Sequence, residues 1–246
     1  MMGYKIVDKK NQFSKERQLL FNQLIRRDPI PDIICAQEAS TMVIEAFREV
    51  IDYPYIHKIY QRGAIIISRY PIIAKGQVDF GSKLNSCLWA DIVVRPGDTI
   101  RVYSTHLESN RLDQNSYEFI EKEEYKPKEA FEGIKDLFSK YPLYAGKRGN
   151  QAENVKAHVN ASPHKVIVCG DLNDPPMSYT YRTVKKGLND TFLDNGSGFG
   201  TTWTGAIPML RIDYIFASKE LINTAFFCLK SDFSDHYPVK ASFNLN

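Results

Sequence analysis

The sequence predicts one α/β domain, residues 1–246, in which the sheets are mixed or antiparallel and helices cover their outer faces. Two observations support this class. Short apolar runs alternate with segments whose apolar residues recur at helical spacing. In addition, residues 53–94 are rich in strand-forming residues and lead into a hairpin, which disfavours a doubly wound parallel sheet.

The N-terminal part is predicted to contain two strands and two helices. Residues 4–7 and 33–36 are short apolar runs, and the second matches a strand that is covered on both faces. A helix over residues 14–27 begins at a serine, a favourable N-cap residue. A second helix is predicted to begin after a cap at Ser40 or Thr41.

The middle of the chain is predicted to be β-rich and then polar. Residues 64–68 and 87–94 are the clearest strands, and Pro96-Gly97-Asp98 supplies a turn into a further strand over 100–104. Residues 108–148 are dense in charge, so we expect a solvated helical insertion there. A specific binding element is the alternative.

The C-terminal part is predicted to hold one helix and three strands. Residues 151–158 carry apolar side chains spaced for one helix face. Residues 165–169, 211–216 and 237–243 have the character of strands, and polar residues adjoin each of them.

The composition is that of an ordinary globular protein. Apolar residues make up 43% and charged residues 25%, which excludes disordered, collagen-like and membrane-spanning classes. A formal net charge of +3 permits a polyanionic substrate but is too small to indicate nucleic-acid binding by itself. The sequence has no membrane-length apolar run and no signal-peptide pattern. The cellular compartment is left open, because an upstream leader or membrane anchor would lie outside this sequence.

Four cysteines, Cys35, Cys87, Cys169 and Cys228, are widely spaced along the chain. Two of them lie inside apolar runs. We therefore expect buried free thiols rather than disulfides or a zinc site, which would need closer Cys/His clustering.

Candidate site residues stand at the ends of predicted strands. Glu38 follows the strand over 33–36, where a carboxylate can be a hard oxygen ligand for Mg²⁺. An acidic residue at the start of the next helix is the alternative. His106 follows the strand over 100–104, and its imidazole either donates to a phosphate oxygen or is structural.

The most informative motif is Gly170-Asp171-Leu172-Asn173. In extended backbone Asp171 and Asn173 project to the same side. A carboxylate that orients or deprotonates water would then stand beside an amide that donates to a phosphoryl oxygen. The alternative is an Asx turn before the two prolines that follow.

A second acid–histidine group precedes the last strand. Asp235 and His236 are adjacent, and Asp213 in the strand over 211–216 is a candidate partner for the imidazole. A carboxylate that accepts from one ring nitrogen fixes the tautomer and raises the basicity of the other. The alternative is a surface loop histidine.

Five motifs, in order, resemble those of the endonuclease/exonuclease/phosphatase superfamily, which includes DNase I-like nucleases, neutral sphingomyelinases and inositol-polyphosphate 5-phosphatases. They are Gln37-Glu38, Thr105-His106-Leu107, Gly170-Asp171-Leu172-Asn173, Arg211-Ile212-Asp213-Tyr214 and Ser234-Asp235-His236-Tyr237-Pro238. The resemblance implies a four-layer sandwich, in which two mixed β-sheets pack face to face, helices lie on the outer faces, and the site occupies one rim.

The resemblance also implies a role for seven side chains around a divalent metal, Mg²⁺ with Mn²⁺ as the alternative. Glu38 would hold the metal with Asp235 near it, Asp171 would orient or activate water, Asn173 and His106 would bind the phosphate, and His236 would pair with Asp213.

One position departs from the family pattern. Members usually carry an asparagine late in the first strand, and Lys5 stands at the matching place. An ammonium group cannot ligate Mg²⁺ and would compete with it for Glu38. A shifted alignment, an altered metal affinity and a weakened enzyme are the three explanations.

The predicted function is divalent-metal-dependent hydrolysis of phosphodiester bonds by water attack, in the manner of a nuclease. The alternatives are a lipid or inositol phosphate phosphoesterase and a catalytically weakened binding protein of the same fold. We expect a monomer that acts on nucleic acid rather than phospholipid, and no protein partner is implied.

Overall fold

The computed structural model describes residues 30–39, 41–59, 63–81, 85–110, 127–204, 209–230 and 234–245. The predicted strand over 4–7, the predicted helix over 14–27 and Lys5 lie outside these residues. The helices of the described part are α1 (Thr41–Val50), α2 (Pro127–Asn160), α3 (Tyr179–Lys185) and α4 (Thr191–Asn195). Its strands are β1 (Ile33–Ala36), β2 (Tyr55–Lys58), β3 (Ile65–Ser68), β4 (Ile72–Val78), β5 (Ser86–Arg95), β6 (Asp98–His106), β7 (Lys165–Asp171), β8 (Leu188–Asp190), β9 (Asp213–Ser218), β10 (Ile222–Cys228) and β11 (Val239–Asn244).

The largest sheet has six strands in the order β4-β5-β6-β7-β9-β8. It is mixed, because β6 and β7 are parallel while the other neighbours are antiparallel. Two smaller antiparallel sheets, β1-β3-β2 and β10-β11, complete the strand pairing seen in the described residues.

Apolar clusters stack these elements into four layers. The middle cluster lies between the six-stranded sheet and the smaller sheets, and Ile66, Leu88 and Phe243 belong to it. Helix α1 packs on the outer face of β1-β3-β2 through Phe47. Helices α2 and α3 cover the outer face of the six-stranded sheet, where Val155 contributes to the core. The predicted fold class, two sheet layers face to face with helices outside, is confirmed.

Most predicted strands are confirmed, with ends that differ by up to two residues. Gly97 adopts a φ of +80° in the β5–β6 turn, a left-handed conformation that favours glycine. The four cysteines are free, as predicted, but only Cys87 is fully buried and the other three are partly buried.

The prediction for residues 108–160 is wrong in one respect. A separate helix over 151–158 was expected, but α2 runs without interruption from Pro127 to Asn160. The apolar spacing marked only the last part of this helix, which also contains Pro142 although proline ordinarily ends a helix. Among the described residues, no helix is both long and apolar enough to cross a membrane.

Candidate active site

Three neighbouring strands of the six-stranded sheet place polar residues side by side at one edge. In the strand register, His106 lies opposite Asp171, and Asp171 lies opposite Asp213. The parallel strands β6 and β7 end at this edge and the antiparallel strand β9 begins there, so the chain delivers all three residues to the same place. All three side chains are buried.

His236 joins this row from the loop before β11. Its Nδ1 lies 2.9 Å from Asp213 Oδ2 and 3.2 Å from Oδ1. Its backbone forms a β-bridge with Trp203, and its N–H donates to the Ser234 hydroxyl. The predicted His–Asp pair is therefore formed in the structure, and it is buried.

Sequence reasoning missed Thr202, which holds this pair together. Its hydroxyl accepts from the backbone N–H groups of Ile212 and Asp213, at 3.0 and 3.1 Å. Its carbonyl accepts from the N–H of Tyr237, at 2.7 Å. Thr202 thereby links the segment that carries Asp213 to the segment that carries His236. No local signal marked this threonine, because both partners are distant in sequence.

The Asp171-Leu172-Asn173 segment is a turn rather than an extended strand. Asn173 has a φ of +53°, and its N–H donates to Asp171 Oδ1 at 2.7 Å. The expectation that an extended backbone aligns the two side chains is wrong, because β7 ends at Asp171. The Asn173 side-chain amide instead donates to the carbonyl of Leu107, at 3.0 Å. This bond keeps Asn173 beside the end of β6.

Glu38 faces the same histidine as Asp171. His106 Nε2 lies 3.7 Å from Glu38 Oε1 and 3.9 Å from Asp171 Oδ2. Glu38 has a φ of +53°, and its side chain is 54% exposed, in contrast to the buried row. The preceding residue, Gln37, is buried and donates to the Ser104 hydroxyl at 3.0 Å, which ties the end of β1 to β6.

Asp235 is the least tightly placed of the predicted residues. It is partly buried beside His236, and its backbone carbonyl accepts from the N–H of Thr204 at 2.8 Å. Its carboxylate contributes to the charge around His236.

The charges of this site shift the pKa values of its groups in different directions. Burial lowers the pKa of His106, although the charge of Glu38 acts to raise it. Burial and the neighbouring Asp213 raise the pKa of Asp171 to about 8. Burial acts to lower the pKa of His236, but the charge and hydrogen bond of Asp213 outweigh it and raise that pKa to about 10. These shifts favour the protonated form of the His236 imidazole and make the Asp171 carboxylate a stronger base.

The profile of the Endonuclease/Exonuclease/phosphatase family matches residues 10–236 of the sequence. The chain belongs to this family. It is accordingly a hydrolase of the phosphoesterase type. No curated protein matches the sequence.

Several solved structures share the fold of this endonuclease/exonuclease/phosphatase family member. A family protein from Bacteroides vulgatus has a TM-score of 0.73 at 15% identity, covering 100% of this chain and 96% of that one. Truncated TDP2 from Caenorhabditis elegans has a TM-score of 0.65 at 18% identity, covering 93% and 90%. The mannosyl-6-phosphatase of Bacteroides thetaiotaomicron has a TM-score of 0.63 at 16% identity, covering 94% and 91%. At these identities the likeness establishes the fold.

The family generally depends on divalent metals, and the donor atoms here fit one. The Glu38 and Asp171 oxygens that face His106 are hard donors of the kind that Mg²⁺ prefers. Ligand atoms of Asp171, Asp213 and His236 also lie within 4.8 Å of one another. In that second group, however, the His236 Nδ1 is already hydrogen-bonded to Asp213. The oxygen donors near Glu38 are therefore the better match for a hard cation.

Proposed function

We propose that this protein hydrolyses phosphodiester bonds of nucleic acids, in a divalent-metal-dependent reaction with water as the nucleophile. The observation that supports this most directly is the row His106, Asp171 and Asp213 on three adjacent strands, completed by His236. A base, a group able to bind phosphate and an imidazole oriented by a carboxylate meet there at one sheet edge, and Asn173 lies beside them.

Asp171 is the proposed general base. One carboxylate oxygen, Oδ1, accepts the Asn173 N–H, which fixes the orientation of the group. The other, Oδ2, faces His106 across 3.9 Å. A carboxylate fixed in this way takes the proton from an attacking water, and burial strengthens it as a base.

His236 and Asp213 are proposed to act as a unit opposite that base. Because Nδ1 is engaged by Asp213, the second ring nitrogen of the imidazolium is left to donate to a phosphoryl oxygen. The Asp213 carboxylate fixes the orientation of the ring and stabilises its positive charge. The pair then supports negative charge that develops on the phosphoryl group.

His106 and Asn173 are proposed to bind the scissile phosphate. The Asn173 amide uses one N–H for the Leu107 carbonyl, and its second N–H is left to donate. The His106 Nε2 faces the cluster rather than the core, and Glu38 and Asp171 surround it. Both groups bind phosphate without changing their own covalent state.

Glu38 and Asp235 are the proposed metal ligands, for Mg²⁺ or alternatively Mn²⁺. When bound, such an ion neutralises charge on phosphoryl oxygens as a Lewis acid. Glu38 suits this role because its carboxylate is half-exposed, whereas His106 and Asp171 beside it are buried.

Exposed apolar side chains on loops next to the site favour a second candidate, hydrolysis of lipid phosphoesters. Met177 lies four residues after Asn173, and Met209 lies four residues before Asp213; both are exposed, as is Phe199. Such groups can contact acyl chains. An exposed ring such as that of Phe199 can equally stack on a base, and the net charge of +3 permits a polyanionic substrate, so nucleic acid stays the first proposal.

The test uses bis(p-nitrophenyl) phosphate with Mg²⁺, with excess chelator, and with the Asp171→Asn variant. We expect turnover only for the unaltered protein with the metal. Turnover that survives in chelator or in the variant would overturn the mechanism. A single-stranded oligonucleotide and vesicles containing sphingomyelin or a phosphoinositide are then compared, and faster cleavage in the vesicles would replace the nucleic-acid proposal with the lipid one.

A further inference from the structure

Helix α2 buries an arginine completely. Arg148 has no solvent-exposed surface, and it is the largest of the fully buried side chains among the described residues. Its Nη1 donates to the carbonyl of Glu108 at 3.1 Å and to Asn110 Oδ1 at 2.7 Å. Its Nη2 donates to Asp174 Oδ1 at 2.8 Å. One guanidinium therefore connects the loop after β6 to the loop after β7.

The partners of Arg148 are themselves held in place. Asp174 is buried and also accepts from the Tyr141 hydroxyl at 3.1 Å, while the Tyr214 hydroxyl donates to the Asp174 carbonyl at 2.8 Å. Hydrogen bonds to Nη1 and Nη2 compensate the buried charge of Arg148, although its Nε has no hydrogen-bond partner among the described residues. The planar guanidinium of arginine suits this site because it donates hydrogen bonds to two loops at once.

Gln151 lies one turn further along the helix and acts on the same loop. Its Oε1 accepts from the N–H of Glu108, at 2.8 Å. Residues three apart share a helix face, so Arg148 and Gln151 hydrogen-bond to the Glu108 backbone from the same side. Side chains of α2 therefore bind both the N–H and the C=O of Glu108.

The hydrogen bonds from Arg148 and Gln151 to Glu108 act on the proposed phosphate-binding groups through the preceding residue, Leu107. The Leu107 carbonyl accepts from the Asn173 side chain at 3.0 Å, and its N–H donates to the Asp171 carbonyl at 3.0 Å. His106 is the next residue back along the chain. A shift of residues 108–110 would therefore move the acceptor that holds Asn173.

We propose that Arg148 and Gln151 are positioning residues: from helix α2 they hold residues 107–110 against Asp174, which keeps His106 and Asn173 in register for the phosphate. This inference rests on the proposed function of the site. Neither residue contacts the reacting atoms, and both act through the backbone of the loop.

The same sheet contains a matched control. Arg101 and Asp91 form a buried ion pair with two hydrogen bonds, of 2.6 and 2.7 Å, on strands β6 and β5. Arg101 lies five residues before His106, a distance of about 17 Å along a strand. We expect removal of this pair to cost stability of the same kind and to leave residues 107–110 in place.

The experiment compares two double variants in which both charges of a pair are removed, Arg148→Met/Asp174→Asn and Arg101→Met/Asp91→Asn. We expect both to lower Tm, but only the first to lower kcat, by about 100-fold, which is the cost of a misplacement near 1 Å. The substrate KM should change much less than kcat in the first variant. Gln151→Glu retains the acceptor for the Glu108 N–H and should keep more activity than Gln151→Met.

A readout independent of catalysis is the Asn173 side-chain amide, followed by ¹⁵N NMR and assigned with Asn173→Asp. Its hydrogen exchange should be protected in the unaltered protein and in the Arg101/Asp91 control, and faster in the Arg148/Asp174 variant. Unchanged protection, or an equal loss of kcat in both double variants, would overturn the inference. If the unaltered protein cleaves no phosphodiester, the proposed function fails, while the NMR comparison still tests the positioning role.

Discussion

The six-stranded sheet has two halves, β4-β5-β6 and β7-β9-β8, and both bury charged side chains. The two halves combine these charges in opposite ways. Away from the site, Asp91 on β5 faces Arg101 on β6 and the two carry opposite charges. At the site edge, Asp171 on β7 faces Asp213 on β9, and both are carboxylates. One pairing satisfies its charges, whereas the other leaves Asp171 with a raised pKa.

This contrast indicates what each half of the sheet is for. A paired buried charge supports the fold, but like charges on neighbouring strands cost stability and persist where function requires them. Thr202 and Asn173 are part of that arrangement, because their hydrogen bonds hold groups that would otherwise separate. The contrast therefore supports the proposal that the site edge carries the chemistry, while the Arg101–Asp91 half of the sheet stabilises the fold.

The largest effect is expected from Asp171→Asn, which removes the proposed base and one of the two like charges. The rate should fall by about 10³-fold or more, since both the base and its charge are lost. In the absence of metal, Tm should rise, because the buried carboxyl and its repulsion with Asp213 are gone. Steady-state kinetics and thermal unfolding in chelator test the two effects. A lower Tm would show that the site edge is not under electrostatic strain.

Removal of one partner of the Arg101–Asp91 ion pair should give the reverse pattern, a loss of stability with little loss of activity. Arg101→Met leaves Asp91 buried without its partner and should destabilise the fold by about 3–5 kcal/mol. The value of kcat should stay within a factor of two or so of the unaltered protein, because the site edge is untouched. Urea unfolding and the phosphodiester assay measure the two quantities. A large loss of kcat here would mean that the two halves of the sheet are not separable.

The pH dependence of stability sharpens the comparison further. Asp171 and His236 both have raised pKa values in the folded state, so between pH 6.5 and 8 the folded protein binds more protons than the unfolded chain. Stability of the metal-free protein should therefore fall as pH rises through this range. Asp171→Asn should flatten the slope, since only His236 then remains. Thermal unfolding in chelator at several pH values tests this, and a slope of opposite sign would contradict it.

A smaller effect is expected from Thr202→Val, which removes the hydroxyl that accepts two backbone N–H groups. The buried donors of Ile212 and Asp213 lose their acceptor, at a cost of about 1–3 kcal/mol. Because Asp213 moves with them, kcat should fall about tenfold. Thr202→Ser keeps the hydroxyl and serves as the control. If Val and Ser variants have equal activity, the hydroxyl does not position the His–Asp pair.

Much of this protein could be predicted locally. The apolar run before Asp171 marks β7 because a covered strand needs no polar alternation, and Pro96-Gly97-Asp98 marks the hairpin because Gly97 takes a left-handed φ. Helix α2 was the exception. The apolar spacing over 151–158 predicted a separate helix there, whereas α2 continues from Pro127 through Pro142 to Asn160.

The sequence by itself determined which polar residues follow buried strands, because alternation, turn residues and capping are local properties of a chain. Only the tertiary structure decided which of them meet. His106 and Asp171 are separated by more than sixty residues, and their pairing depends on the register of a parallel strand pair that no local pattern specifies. Arg148 is the sharpest case. In the sequence it is one basic residue in a charged helix, and only packing against Asp174 and the loop after β6 makes it the most deeply buried charge at the site.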